Sequence, residues 1–238
     1  MNRLSYFKDG IVSSIEDIES LAKQKSGKIL VISDSHNGDK DLLFDIIENF
    51  ADDVDVMLYC GDGVSDIGEI VQEALGNEKL QEKLPPVIAF VRGNNDSSSY
   101  VLSTDNEEEV YTSQSEEKTA NYKMIQVNVP ESLVFSLAGR KIYCTHGHRH
   151  YVSYGLDTLY SIAENIPADM VFFGHTHRAY FEENFGTLFL NPGSLCYPRG
   201  GQEPMFAVVS FPGVTERYHV EYFTMNKTLL GSYTFTTV

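Results

Sequence analysis

Five short runs of acidic, amide and imidazole side chains interrupt the sequence, and each comes directly after an apolar stretch. The runs are Asp34-Ser35-His36, Gly61-Asp62, Gly93-Asn94-Asn95-Asp96, His146-Gly147-His148 and Gly174-His175-Thr176-His177. Carboxylate, amide and imidazole groups are typical ligands of catalytic divalent metals, and none of the runs contains a thiolate. These residue types indicate a metal-dependent reaction, and they favour manganese, iron, cobalt, nickel, zinc or magnesium over a structural zinc site.

The apolar stretches before these runs are predicted to be strands of a largely parallel sheet. Continuous apolar runs such as 29–32 and 56–60 are typical of strands buried on both faces, and helical stripes at 42–50 and 67–75 alternate with them in β-α-β order. Functional sites of parallel sheets lie at the carboxyl ends of the strands. We therefore expect the five polar runs to converge at one edge of the fold.

Within an extended segment, residues i and i+2 point the same way, so Asp34 with His36 and His175 with His177 are expected to act as pairs. A single such pair has an ordinary explanation as a turn or a satisfied structural histidine. Packing alone does not explain all five runs, because burying polar groups without partners at five strand ends would cost several kcal/mol of folding free energy each, on the order of the usual penalty.

The rest of the chain is predicted to complete one α/β domain over 1–238, with a β-rich second half. Residues 12–24 have helical spacing, with Ser13 and Glu16 as a capping box, and predict an N-terminal helix. The Ser/Thr/Glu-rich stretch 103–121 predicts a solvated insertion. Antiparallel strands are predicted from the runs at 123–129, 132–138 and 141–145.

Composition excludes several classes of protein. The 42% hydrophobic and 22% charged residues argue against disorder, and no apolar run is long enough to span a bilayer. The start of the chain has no signal-peptide pattern, and its three cysteines include no C-x-x-C pair, so we expect a cytoplasmic protein with reduced thiols. The net charge of −16 disfavours large nucleic acid and anionic membranes as partners.

In this order, the five runs followed by Asn191-Pro192-Gly193-Ser194 resemble the calcineurin-like metallophosphoesterase superfamily, in particular its small bacterial and archaeal phosphodiesterases, over residues 28–200. The resemblance implies a four-layer α/β/β/α sandwich of two mixed sheets. It also implies a centre of two divalent ions, for which manganese is our first expectation. One ion would be held by Asp34, His36, Asp62 and His177, and the other by Asp62, Asn94, His146 and His175, with Asp62 as the bridge.

The activity that this resemblance implies is hydrolysis of a small phosphodiester by attack of a metal-bound hydroxide on phosphorus. A phosphomonoesterase or nucleotide phosphohydrolase is the alternative within the same chemistry. A further alternative is a non-catalytic interaction scaffold that resembles the retromer subunit Vps29. The scaffold predicts damaged ligand positions, whereas all the expected ligands are intact here. The sequence assigns no oligomeric state.

One position departs from the family pattern. The superfamily commonly has Gly-Asn-His-Asp in the third run, and this chain has Asn95 in place of that histidine. An asparagine cannot supply a proton near neutral pH, so we expect His148 to donate it or the leaving group to need little protonation. Asn95 is expected to hydrogen-bond a phosphate oxygen, and Asp96 to orient a neighbouring ligand. Phosphate contact and carboxylate pairing both remain open for Arg92, Arg149 and Arg199.

Overall fold

The computed structural model of the protein describes residues 4–103, 111–112, 124–212 and 217–238. The helices are α1 (Ile15–Leu21), α2 (Lys40–Phe50), α3 (Val64–Leu75), α4 (Glu78–Lys83) and α5 (Asp157–Asn165). The strands are β1 (Tyr6–Lys8), β2 (Ile11–Ser13), β3 (Gly27–Ile32), β4 (Val56–Tyr59), β5 (Val87–Phe90), β6 (Ser99–Ser103), β7 (Tyr111–Thr112), β8 (Met124–Asn128), β9 (Ser132–Leu137), β10 (Arg140–Thr145), β11 (Met170–Phe172), β12 (Ala179–Asn184), β13 (Thr187–Pro192), β14 (Met205–Phe211), β15 (His219–Lys227) and β16 (Tyr233–Thr237). Within the described ranges, no helix is long and apolar enough to cross a membrane.

Three adjacent parallel strands, β3, β4 and β5, lie inside a nine-stranded sheet. The strand order is β16-β15-β14-β3-β4-β5-β2-β1-β7, and both β14 and β2 run antiparallel to their neighbours in the parallel group. Helices α2 and α3 make the crossovers between the parallel strands. The structure therefore has the predicted succession of β-α-β units. Strands of such units are covered on both faces, which is why their sequences are continuously apolar.

A second sheet has five strands in the order β12-β13-β11-β10-β9. Its inner strands β10, β11 and β13 are parallel, and β9 and β12 are antiparallel at the two edges. Ile142 of β10 pairs with Met170 of β11, so the carboxyl ends of these two strands lie side by side. Those ends are followed by the fourth and fifth polar runs.

Apolar side chains separate the fold into four layers. One face of the first sheet, including Leu30, packs with Ile67 of α3. The opposite face, including Val31, packs against the second sheet at Phe172. The outer face of the second sheet is covered by α5 through Leu159. The period-two alternation along β3 places its neighbouring residues in different layers. The predicted four-layer α/β/β/α sandwich of two mixed sheets is confirmed.

The helix predicted over 12–24 is shorter in the structure. Val12 is a buried strand residue that pairs with Ile88 of β5, and the helix starts after it. The side chain of Ser14, rather than Ser13, accepts a hydrogen bond from the Asp17 backbone at 3.0 Å. The prediction of a Ser13 cap is wrong because pairing of β2 with β1 and β5 takes precedence over helical spacing at the start of this segment.

Strands β9 and β10 pair antiparallel as predicted, but β8 does not join them. It pairs with β6 in a separate two-stranded sheet. The predicted insertion over 103–121 lies outside the described residues, except for Ser103 at the end of β6 and Tyr111–Thr112 in β7.

Candidate metal centre

Five of the seven predicted metal ligands lie together where β3, β4, β10 and β11 end. Asp34, His36 and His177 form one group whose ligand atoms lie within 4.8 Å of one another, and Asp34, Asp62 and His146 form a second. Asp34 belongs to both groups. Asp62 also faces both, because its Oδ2 lies 3.8 Å from His36 Nε2 and 3.4 Å from His146 Nε2.

The two remaining predicted ligands, Asn94 and His175, contact each other beside the second group. His175 Nδ1 lies 3.0 Å from Asn94 Oδ1, and the backbone N–H of His175 donates to Asp34 Oδ2 at 3.1 Å. The imidazole centroids of His175 and His146 are 5.2 Å apart. The structure therefore brings all seven predicted ligands to one site.

Backbone carbonyl groups orient two of the imidazoles for metal binding. His146 Nδ1 lies 2.7 Å from the carbonyl oxygen of Cys60, and His177 Nδ1 lies 2.7 Å from that of Tyr197. A carbonyl only accepts, so each Nδ1 carries the proton and each Nε2 presents its lone pair to the carboxylates. A hydrogen bond from the second ring nitrogen is the usual support of a metal-ligating histidine.

Two buried atoms at the centre have no hydrogen-bond partner among the residues that the structure describes. They are Asp34 Oδ1 and His146 Nε2, which belong to side chains without solvent exposure and lie 3.9 Å apart. Leaving a buried carboxylate oxygen unsatisfied is costly, and such atoms in folded proteins usually have a partner. A divalent cation between the carboxylates and imidazoles would satisfy both atoms, so the residues present fit a metal.

The surrounding groups shift the pKa values of the central residues, each for a physical reason that the structure shows. Burial disfavours the charged form of Asp62, but the His146 imidazole and the hydrogen bonds from Asn95 outweigh it and lower its pKa below the usual range. Burial, followed by the nearby positive charge of His146, lowers the pKa of His175. The charged form of Asp62 and the neutral form of His175 are therefore favoured around neutral pH. At His146, burial lowers the pKa, but the Asp62 and Asp34 carboxylates outweigh it and raise the pKa, and the Asp34 carboxylate also raises the pKa of His177.

Five of the predicted ligands have left-handed backbone conformations. The φ angles are 55° at Asp34, 50° at His36, 58° at Asp62, 67° at His175 and 57° at His177. Such values are uncommon for residues other than glycine and tend to occur at functional sites. The Asp34 N–H donates to the Gly61 carbonyl at 3.0 Å and the His36 N–H to the Asp62 carbonyl at 2.9 Å. These bonds between loops hold the unusual backbone in place.

Two glycines let the backbone approach the carboxylates closely. A Cβ at Gly93 would lie 2.0 Å from Asp62 Oδ1. At Gly174 it would lie 2.0 Å from Ser33 Oγ and 2.8 Å from Asp34 Oδ2. Neither distance leaves room for a side chain, so glycine is needed for steric reasons at both positions.

The Asn191-Pro192-Gly193-Ser194 segment connects the loops of the two sheets. Ser194 Oγ donates to the Asp34 carbonyl at 2.8 Å, and Asn191 Nδ2 donates to the Gly174 carbonyl at 2.7 Å. Both side chains are fully buried. The segment thus supports ligand loops from both sheets rather than making only a surface turn.

Asp96 holds the loop of Asp62 through four backbone hydrogen bonds. Its carboxylate accepts from the N–H groups of Asp62, Gly63, Val64 and Gly93 at 2.7–2.9 Å. Helix α3 has no side-chain cap of its own at Gly63, and Asp96 satisfies its first N–H groups instead. This is the arrangement that the predicted orienting role requires.

We expect Asp96→Asn to lower Mn²⁺ affinity about 10- to 100-fold and to destabilise the fold by about 2 kcal/mol, because an amide nitrogen would face backbone N–H donors. Isothermal titration and thermal unfolding measure the two effects. Asp52→Asn, at an exposed site before β4, is the matched control. Equal Mn²⁺ affinity in Asp96→Asn and in this control would contradict the role of Asp96 in orienting Asp62.

Glu131 is a residue of the site that sequence reasoning missed. Its carboxylate contacts the Arg92 guanidinium, lies 3.1 Å from Arg149 Nη2 and lies 3.9 Å from His148 Nε2. For Arg92 and Arg149, the structure favours carboxylate pairing over phosphate contact. Nothing local distinguishes Glu131 among the 34 acidic residues, since its partners are distant in sequence.

The structure places Asn95 on the carboxylate of Asp62. The Asn95 side chain donates to Asp62 Oδ2 at 2.7 Å, and its backbone N–H donates to Asp62 Oδ1 at 2.8 Å. These contacts let Asn95 position a predicted ligand, and its contact with a phosphate oxygen stays a prediction. His148 lies nearby, with its ring centroid 5.4 Å from that of His146.

Sequence comparisons agree with this geometry. The family model described as "Calcineurin-like phosphoesterase superfamily domain" matches residues 28–212. The chain is similar to the "Probable metallophosphoesterase YsnB" of Bacillus subtilis (strain 168), with 28% identity over 184 residues, which are 76% of this chain and 83% of that protein.

Solved structures share the fold. A conserved uncharacterized protein from Streptococcus pneumoniae TIGR4, described as a predicted phosphoesterase, has 25% identity and a TM-score of 0.58 over 90% of this chain and 99% of its own. Vacuolar protein sorting 29 from Cryptosporidium parvum has 21% identity and a TM-score of 0.60 over 90% and 98% of the two chains. A novel archaeal phosphodiesterase has 22% identity and a TM-score of 0.50 over 89% and 99%.

Proposed function

Because the chain belongs to the calcineurin-like phosphoesterase superfamily, we propose that it is a phosphodiesterase with two divalent ions in its active site. The observation that carries this proposal is the pair of buried, unpartnered atoms, Asp34 Oδ1 and His146 Nε2, within a complete set of oxygen and nitrogen ligands. The similarity to an archaeal phosphodiesterase supports the choice of a diester.

Two divalent ions bound here, manganese in our proposal, would lower the pKa of a water molecule and neutralise the charge of a phosphate ester. Asp34, His36 and His177 would hold one ion. Asn94, His146 and His175 would hold the other, and Asp62 faces both groups. Asp96 and Asn95 keep Asp62 in place through the hydrogen bonds described above.

His148 is our candidate for donating a proton to the leaving group, since Asn95 binds Asp62 and has no acidic proton to give. The Nδ1 of His148 is buried without a hydrogen-bond partner among the described residues. Turnover of esters with good and poor leaving groups by His148→Ala and Asn95→His tests this role. Unchanged rates in both variants would remove these residues from the reaction.

The substrate in this proposal is a small phosphate ester. A net charge of −16 repels long polyanions, while two bound cations would attract a single phosphate locally. The similarity to Vps29 concerns the fold alone, and an interaction scaffold does not need the complete ligand set seen here.

The test is to purify the protein without chelator, measure its bound metals, and assay an activated aryl phosphodiester beside the matching monoester with Mn²⁺ added. We expect two metal equivalents per chain and faster turnover of the diester. Faster turnover of the monoester would replace the proposal by a phosphomonoesterase. Absence of both metal and turnover would overturn it in favour of the scaffold.

A further inference from the structure

A cavity of about 640 Å³ opens beside the loop that carries His175 and His177. Its wall contains Leu156, Phe173 and Tyr180 as apolar and aromatic groups, with Arg178 and Arg199 as polar groups. None of the seven predicted metal ligands lines it. The cavity is thus distinct from the metal centre.

The cavity and the metal centre share one loop. Thr176, which stands between His175 and His177, is part of the cavity wall. The backbone N–H of Arg199 donates to the His177 carbonyl at 2.9 Å, so a second segment of the wall is joined directly to a predicted ligand. The loop that carries two predicted ligands therefore also forms part of the cavity wall, which places the cavity next to the metal centre.

Both arginines of the wall are available to bind an anion. Over the described ranges, neither the Arg178 nor the Arg199 guanidinium lies within ion-pair distance of a carboxylate, whereas Arg92 and Arg149 both contact Glu131. Acidic residues outnumber basic ones by 34 to 18, so two neighbouring unpaired guanidinium groups are a local exception. Guanidinium groups bind phosphate through paired, charge-assisted hydrogen bonds.

The size and the remaining wall of the cavity fit more than a phosphate ion. Its volume lies within the range of about 300–1,000 Å³ that is typical of small-molecule sites. The Tyr180 side chain is 40% exposed, and its ring centroid lies 6.4 Å from that of Phe173. An aromatic wall beside cations suits a flat ring attached to a phosphate.

We propose that this cavity binds the part of the substrate beyond the scissile phosphate, and that this part carries a second phosphate and a flat ring, as a nucleotide does. Arg178 and Arg199 bind the second phosphate, and the ring lies against Tyr180. The inference rests on the proposed phosphodiesterase function and defines the class of diester that the site selects.

The test uses the metal-free protein, so that binding to the cavity is measured without the metal centre. Adenosine 5′-monophosphate and adenosine are titrated by calorimetry. We expect the monophosphate to bind at least about tenfold more tightly than adenosine, since one charge-assisted hydrogen bond accounts for about that factor. Arg178→Gln and Arg199→Gln should each weaken monophosphate binding about tenfold.

Arg217→Gln is the matched control, because Arg217 precedes Tyr218, which contacts the Asp169 carbonyl at the opposite end of β11. Absence of monophosphate binding, equal binding of adenosine, or equal affinity in all three variants would overturn the inference. The aryl phosphodiester assay separates this result from the proposed function. If the protein hydrolyses the diester but does not bind adenosine 5′-monophosphate, only the proposed role of the cavity is rejected. If it binds the monophosphate but hydrolyses neither ester, the proposed phosphodiesterase function is rejected.

Discussion

Replacing Asp62 by asparagine should lower turnover of an aryl phosphodiester about a thousandfold and reduce the bound Mn²⁺ below two equivalents. Asp62 Oδ2 faces imidazoles of both ligand groups, at 3.8 Å from His36 and 3.4 Å from His146. An amide oxygen at this position would carry no negative charge, so it would stabilise two adjacent cations far less than the carboxylate does. Loss of several kcal/mol of charge stabilisation corresponds to a factor of this size.

The exposed Asp52 precedes the same strand that Asp62 follows, so Asp52→Asn removes an equal charge at the opposite end of β4. We expect this control to retain metal content and turnover. Thermal unfolding shows whether Asp62→Asn remains folded. Turnover within tenfold of the unaltered protein, with two Mn²⁺ retained, would be incompatible with a bridging role for Asp62.

Gly174→Ala should lower turnover about a hundredfold without changing any polar group. The added methyl would lie 2.0 Å from Ser33 Oγ, which donates to Asp34 Oδ2 at 2.6 Å. Ser33 and Asp34 are fully buried, so neither can move away into solvent. Displacement of the Asp34 carboxylate by even one ångström is enough for a loss of this order.

Gly76→Ala is the control for this substitution, because a Cβ there would meet nothing within 4 Å and the φ of −96° suits any residue. We expect Gly76→Ala to retain turnover and Mn²⁺ affinity. For Gly174→Ala we expect a weaker Mn²⁺ affinity by calorimetry and destabilisation of about 1–3 kcal/mol. Unaltered Mn²⁺ affinity in Gly174→Ala would show that the methyl is accommodated without moving Asp34.

The sequence predicted the parts of this fold that depend on local pattern. Continuous apolar runs such as 29–32 predicted buried parallel strands, and the polar residues that follow them predicted where the strand ends meet. The family resemblance added the second mixed sheet. The convergence of the polar runs followed from their position at strand ends, and the family resemblance implied which of their residues would be ligands.

Contacts between distant segments could not be predicted in this way. Helix α4 was missed because Gly76-Asn77 indicates the end of a helix, whereas Asn77 also caps the next one by accepting from the Leu80 N–H. Glu131 and Ser194 reach the site through tertiary contacts with residues far along the chain. Glu131 has no local pattern that distinguishes it from an ordinary surface acid. Ser194 belongs to a motif of the family resemblance, but its hydrogen bond to the Asp34 carbonyl was not predicted.

The origin of the ligands in two different sheets has a consequence for the lifetime of the protein. Asp34 and Asp62 follow strands of the first sheet, and His146 and His177 follow strands of the second. An ion held by both pairs would cross-link the sheets, so its binding free energy would add to the free energy of unfolding. At about one hundred times the dissociation constant, this linkage amounts to about 2.7 kcal/mol. The supply of metal in the surroundings would then determine how long the chain resists unfolding and proteolysis, whether or not substrate is present.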